Sequence, residues 1–112
     1  MRNQPVADAV FDALGDPMRR RIVETLRDGP LAVGALALRL PVGRPAVSKH
    51  LRILEGAGVV EHHSIGTRNL YALAPDGMAG AQQWLVRTWD TVLAAYAAEV
   101  SRAADRPEGA SP

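Results

Sequence analysis

Between Gly43 and Leu54 the chain sorts two kinds of side chain onto two faces at helical spacing, and this restricts the fold more than any other segment. Val47, Leu51 and Leu54 recur every three or four residues, which stacks them on one side of a helix and directs them to a core. Arg44, Ser48, Lys49 and Arg52 fall on the opposite side. A helix held by one apolar face and cationic on the other has the shape and charge that suit the major groove of a nucleic-acid duplex.

The flanking segments supply the rest of a core. Val6, Val10, Ala13 and Leu14 predict a first helix, ended by Gly15. Asp16 suits the N-cap and Pro17 the first position of a second helix, whose buried side is Met18, Ile22, Val23 and Leu26. Asp28-Gly29-Pro30 stops it, and Leu31-Ala32-Val33 predicts a short strand. A third helix of about two turns follows, carrying Leu36, Leu38 and Leu40, and Pro41-Val42-Gly43 turns into the amphipathic helix. That helix ends near Glu55-Gly56-Ala57-Gly58, with both glycines expected at positive φ. Val59–Ser64 and Arg68–Leu73 read as strands of a hairpin around Ile65-Gly66-Thr67. A last helix runs from Gly77 to Ala103 with Leu85, Trp89, Val92, Leu93, Tyr96 and Val100 on one apolar stripe. Residues 106–112, rich in Pro, Gly, Ser and Ala, predict a disordered tail, which leaves 1–105 as one domain. The expected fold is mainly α with a small β-hairpin: a winged helix-turn-helix that dimerises through its first and last helices.

Composition narrows the possible functions. The net charge of +1 says little as a total, but Arg39 to Arg68 holds five cations (Arg39, Arg44, Lys49, Arg52, Arg68) against Glu55 and Glu61. A basic middle between acidic flanks suits nucleic-acid binding through one face. With no cysteine there is no disulfide and no thiolate metal site. No signal-like segment and no apolar run near the roughly 20 residues that span a bilayer is present, which points to the cytoplasm and away from membranes. No glycine-rich phosphate loop and no Ser/His/acid set suggests an enzyme.

Ala13-Leu14-Gly15-Asp16-Pro17, Arg19-Arg20-Arg21-Ile22-Val23, Arg44-Pro45-Ala46-Val47-Ser48-Lys49-His50-Leu51, Leu54 to Val60 and Gly66-Thr67-Arg68 resemble the ArsR/SmtB family of bacterial repressors. The resemblance covers Ala9 to Leu73. It implies a homodimer on a pseudo-palindromic operator of double-stranded DNA that blocks transcription. Metal-sensing members carry cysteines on the helix before the reading helix, or Asp, His and Glu on the last helices. Here Ala35–Leu40 offers no ligand and Gly77–Ala103 has no histidine, so no metal cofactor is expected, and the last helix, with Trp84-Leu85 and Trp89-Asp90, is similar to a metal-independent branch of the family.

The DNA-binding candidates are Arg44, Pro45, Ser48, Lys49, His50, Arg52 and Arg68. Arg44 near the helix start can reach a guanine or a phosphate; Lys49 and Arg52 suit phosphates, and Arg68 at the hairpin tip suits a minor groove. His50 fits a DNA contact or a buried structural role equally. Arg19, Arg20 and Arg21 form either a support for the DNA backbone or a solvent face with an Arg20–Glu24 pair. His62 and His63, adjacent on a strand, point to opposite faces and do not share an ion. A single reading helix binds weakly at physiological salt, so two copies are needed. The dimer candidates are Val6, Val10, Leu85, Trp89, Val92, Leu93 and Tyr96. Two other readings stand beside this one: a winged-helix module that binds protein, and the same repressor released by a small organic effector near the last helix.

Overall fold

The computed structural model describes residues 3–105; the expected tail, 106–112, lies outside them. The element order is α1 (Asn3–Ala13), α2 (Pro17–Thr25), a 3-10 turn (Leu26–Asp28), β1 (Leu31–Ala32), α3 (Val33–Ala37), α4 (Arg44–Gly56), β2 (Val60–Ile65), β3 (Arg68–Leu73) and α5 (Ala79–Ala104). The chain divides into two compact units, one ending at Ala81 and the other starting at Gln82.

In the first unit the expected cap forms. The Asp16 carboxylate accepts from the backbone amides of Met18 (2.7 Å) and Arg19 (3.2 Å), and Pro17 takes the first helical position. The cations of α2 then turn back: Arg19 Nε donates to the carbonyl of Ala13 at 2.5 Å and Arg20 Nη1 to that of Leu14 at 2.7 Å. These carbonyls at the end of α1 have no partner within their own helix, so α2 satisfies them.

The sheet is antiparallel in the order β1-β3-β2, with Leu31 opposite Tyr71 and Val60 opposite Leu73. Its apolar residues join the helices in one core that includes Val10, Ile22, Leu26, Leu36 and Val59. Val47, Leu51 and Leu54 of α4 are all fully buried in it. Burying such side chains contributes roughly 1.5–3 kcal/mol each. Rotating α4 about its axis would forfeit all three, so the core fixes which face of this helix meets solvent.

Four details depart from the sequence reading. First, α3 has five residues, starts at Val33 and is shorter than two turns; Leu36 is buried, but Leu38 is 89% exposed. The chain must reverse between Ala37 and Arg44, and that reversal carries Leu38 outward. Second, Gly56 is still helical, and of the two glycines expected at positive φ only Gly58 (φ 81°) has it. Third, Ile65 continues β2 and leaves a two-residue turn, Gly66-Thr67. Gly66 has φ 65° and Thr67 does not have positive φ, the arrangement that a glycine-first hairpin turn requires. The last helix begins at Ala79, two residues late, because Ala74–Ala79 form turns closed by the Gly77 and Ala79 amides.

In the second unit, α5 from Gln82 onward is exposed along its length.

Candidate nucleic-acid interface

The polar face of α4 is built from below. With Val47, Leu51 and Leu54 turned inward, Arg44, Pro45, Lys49 and Arg52 are exposed and Ser48 is half-buried beside them. Gly43, at the N-cap, brings no side-chain oxygen to the first-turn amides. Sequence reasoning placed these residues on one side, and the structure does so.

The short α3, the start of α4 and the hairpin tip enclose an open groove of about 740 Å³. Arg44 and Arg68 both line it, together with Gly34, Leu38, Thr67 and Asn69. No carboxylate is among its lining residues, so two cations set its charge. Arg68, the first residue of β3, pairs with Ile65 beside the turn and is exposed. That Arg44 and Arg68 share a groove was not visible in the sequence, where they are separated by the whole of α4 and β2.

The histidines fall into three environments. His50 is half-buried and its Nδ1 lies 3.5 Å from Arg19 Nη1 on α2. His62 Nδ1 is 2.5 Å from Glu55 Oε2, tying β2 to the last turn of α4, and its ring stacks at a tilt on Tyr71. His63 Nε2 is 2.8 Å from Glu61 Oε2. The two neighbours on β2 thus hold different carboxylates. Among the described residues no three His, Asp or Glu side chains gather as a metal site.

The three arginines of α2 divide as well. Arg19 is tucked in, with a side chain only 15% exposed, Arg20 is bonded to Leu14 instead of Glu24, and Arg21 is exposed. Arg19 is a structural clamp that sequence reasoning missed: it is not part of an open solvent face. Besides the Asp16 carboxylate three residues back (3.9 Å), its partners are main-chain carbonyls and a histidine 31 residues away, and these last no spacing rule reveals.

Of the apolar candidates, Val10 is completely buried in its own core, whereas Val6 is 51% exposed. In the second unit Leu85, Trp89, Val92, Leu93 and Tyr96 are between 45% and 68% exposed. Trp84, Leu85, Thr88 and Trp89 border a recess of about 200 Å³ on this helix. Among the described residues no helix is long and apolar enough to cross a membrane.

A helix-turn-helix whose second helix presents cations, followed by a short hairpin, defines a winged helix-turn-helix, the fold of DNA-binding transcriptional regulators. The chain belongs to the ArsR/SmtB family of these regulators. A family model described as a helix-turn-helix domain matches residues 14–63. An HTH-type transcriptional regulator of Mycobacterium tuberculosis is 50% identical over 90 residues, 80% of this chain and 84% of the relative. The transcriptional repressor SdpR of Bacillus subtilis is 32% identical over 77 residues, 69% of this chain and 86% of its own. Among solved structures, an ArsR-like transcriptional regulator from a Rhodococcus species superposes with a TM-score of 0.74 at 32% identity, covering 86% of this chain and 93% of its own. A homodimeric winged helix-turn-helix DNA-binding domain from Mycobacterium bovis, described as a possible ArsR-family regulator, gives 0.63 at 28% identity, covering 75% and 80%. The protein is a transcriptional regulator.

Proposed function

We propose that the protein is a homodimeric repressor that occupies a pseudo-palindromic operator, with α4 of each protomer in a major groove and the β2–β3 hairpin as the wing. The observation that carries this reading is the burial of Val47, Leu51 and Leu54, which commits Arg44, Pro45, Ser48, Lys49 and Arg52 to the open face of one rigid helix. Arg44 reads a base or grips a phosphate, Lys49 and Arg52 neutralise phosphates, and Arg68 on the wing follows the minor groove. His50, turned to Arg19, serves to hold α4 in place. Residues 1–105 act as one DNA-binding and dimerisation domain, in the cytoplasm where DNA is met.

The homodimer is supported by the apolar side chains that α5 leaves open, and the Mycobacterium bovis neighbour is homodimeric. The interface uses Val6, Leu85, Trp89, Val92, Leu93 and Tyr96; Val10 serves the subunit's own core. The Bacillus subtilis relative carries repression in its name. The recess at Trp84–Trp89, about 200 Å³, is smaller than the roughly 300–1,000 Å³ of small-molecule sites and suits an apolar side chain of the second copy.

The test is a titration of a duplex from the promoter of its own gene at several salt concentrations. Each neutralised phosphate adds about 0.9 to the slope of log affinity against log salt, so two protomers with several contacts each give a steep negative slope. A slope near zero would reject the DNA reading in favour of a protein-binding winged helix.

A further inference from the structure

Gly34 is a glycine without a backbone reason. The described glycines with positive φ are Gly29, Gly58 and Gly66; Gly34 lies inside the five-residue α3, where glycine weakens a helix relative to alanine. What its missing side chain leaves room for is one group. A Cβ at Gly34 would stand 2.6 Å from Nη2, 3.0 Å from Cζ and 3.3 Å from Nε of Arg44, and these are the nearest atoms to it. The guanidinium of the first residue of α4 therefore rests on the bare backbone of α3, in the groove that Arg68 also lines.

We propose that Gly34 is a positioning residue for DNA binding: it is the seat that fixes the Arg44 guanidinium at the corner of α3 and α4, beside the wing, before a duplex arrives. An arginine side chain has many rotamers, and a contact that selects one beforehand reduces the ordering that binding must impose. The lining of the groove holds a second cation, Arg68, and no carboxylate, so nothing there competes with an incoming polyanion for the seated charge. Leu38, 89% exposed on the same groove, lets the aliphatic edge of a deoxyribose or a thymine methyl approach without loss of an internal contact. The proposal rests on Arg44 touching DNA, as argued above.

Gly34→Ala separates this role from folding, because the two effects have opposite signs. Alanine favours the helix, and the nearest atoms in its way are the end of a flexible side chain, so the thermal midpoint should hold or rise. Affinity for the promoter duplex should nevertheless fall about tenfold, the lower part of what one good arginine contact provides. In an Arg44→Ala background the same substitution should change nothing. Arg44→Lys, which keeps the charge but cannot cover the seat, should lose most of the same affinity. An unchanged affinity in Gly34→Ala, or an equal loss with and without Arg44, overturns the proposal. A DNA-free readout is the proximity of Arg44 Nε–H to the Gly34 Hα protons in the NMR spectrum of the whole protein, lost in Gly34→Ala. If the wild type lacks that proximity, the seat does not exist; if it shows the proximity but binds no duplex, the DNA reading fails and this proposal with it.

Discussion

Arg19 on α2 places its Nη1 3.5 Å from Nδ1 of His50 on α4, while its Nε holds the carbonyl of Ala13 at 2.5 Å. One guanidinium so joins the end of α1 to α4. A cation with a 15% exposed side chain depends on those partners, because leaving buried polar groups without them is costly.

Removal of this clamp should be felt in stability. Arg19→Ala is expected to lower the free energy of unfolding by about 1–3 kcal/mol, and Arg21→Ala, on the exposed side of the same helix, by less than about 0.5 kcal/mol. Denaturant titrations of both variants compare the two.

On α4 the substitutions should differ in kind. Lys49→Ala is expected to weaken binding to all duplexes alike and to reduce the magnitude of the salt slope by about 1. Arg44→Ala should also relax base preference at one position of each half-site, while His50→Ala should leave the slope unchanged. Affinities for a set of single-base operator variants, measured at matched salt, distinguish the three.

The cap of α2 responds to acid. The backbone amide of Arg19 in the first place, with that of Met18 and the Arg19 charge, holds the Asp16 carboxyl below its ordinary 3.8. A lowered folded-state value means that the ionised cap contributes stability above pH 3.8 and loses it as the pH falls through the lowered value. Asp16→Asn, still a competent N-cap, has no such titration. The difference in thermal midpoint between the two proteins should be constant near neutrality and change only in the acid range, which a pH series of melting curves records.

Assembly should depend on α5. Trp89→Glu introduces a charge into the exposed apolar side of this helix and is expected to shift the sedimenting mass from two protomers to one at micromolar concentration. Val10→Ala, which empties a place in the subunit's own core, should cost about 1–3 kcal/mol of stability and leave the dimer mass intact.

The elements that follow from periodicity were legible in the sequence: Val47, Leu51 and Leu54 fix the inward face of α4, and Asp16-Pro17 marks the start of α2. What spacing does not encode is contact between distant segments. Leu38 looked like a core residue because its pattern matched Leu36 and Leu40, yet the turn that follows α3 takes it outward. Arg19 looked like surface charge because its partners are carbonyls of another helix. Val10 looked as available as Val6 because a stripe says that a face is covered, not by which chain. The groove shared by Arg44 and Arg68 exists only once the hairpin folds back beside α3.

In the proposed dimer two copies of α4, presented together, lie in successive grooves on one side of a duplex. Hydroxyl-radical footprinting on the promoter tests it most directly. Two protected patches on one face are expected, their centres about 10 base pairs apart, both lost when Arg44 and Lys49 are replaced by alanine. A single patch, patches on opposite faces, or protection that persists in the doubly substituted protein contradicts it.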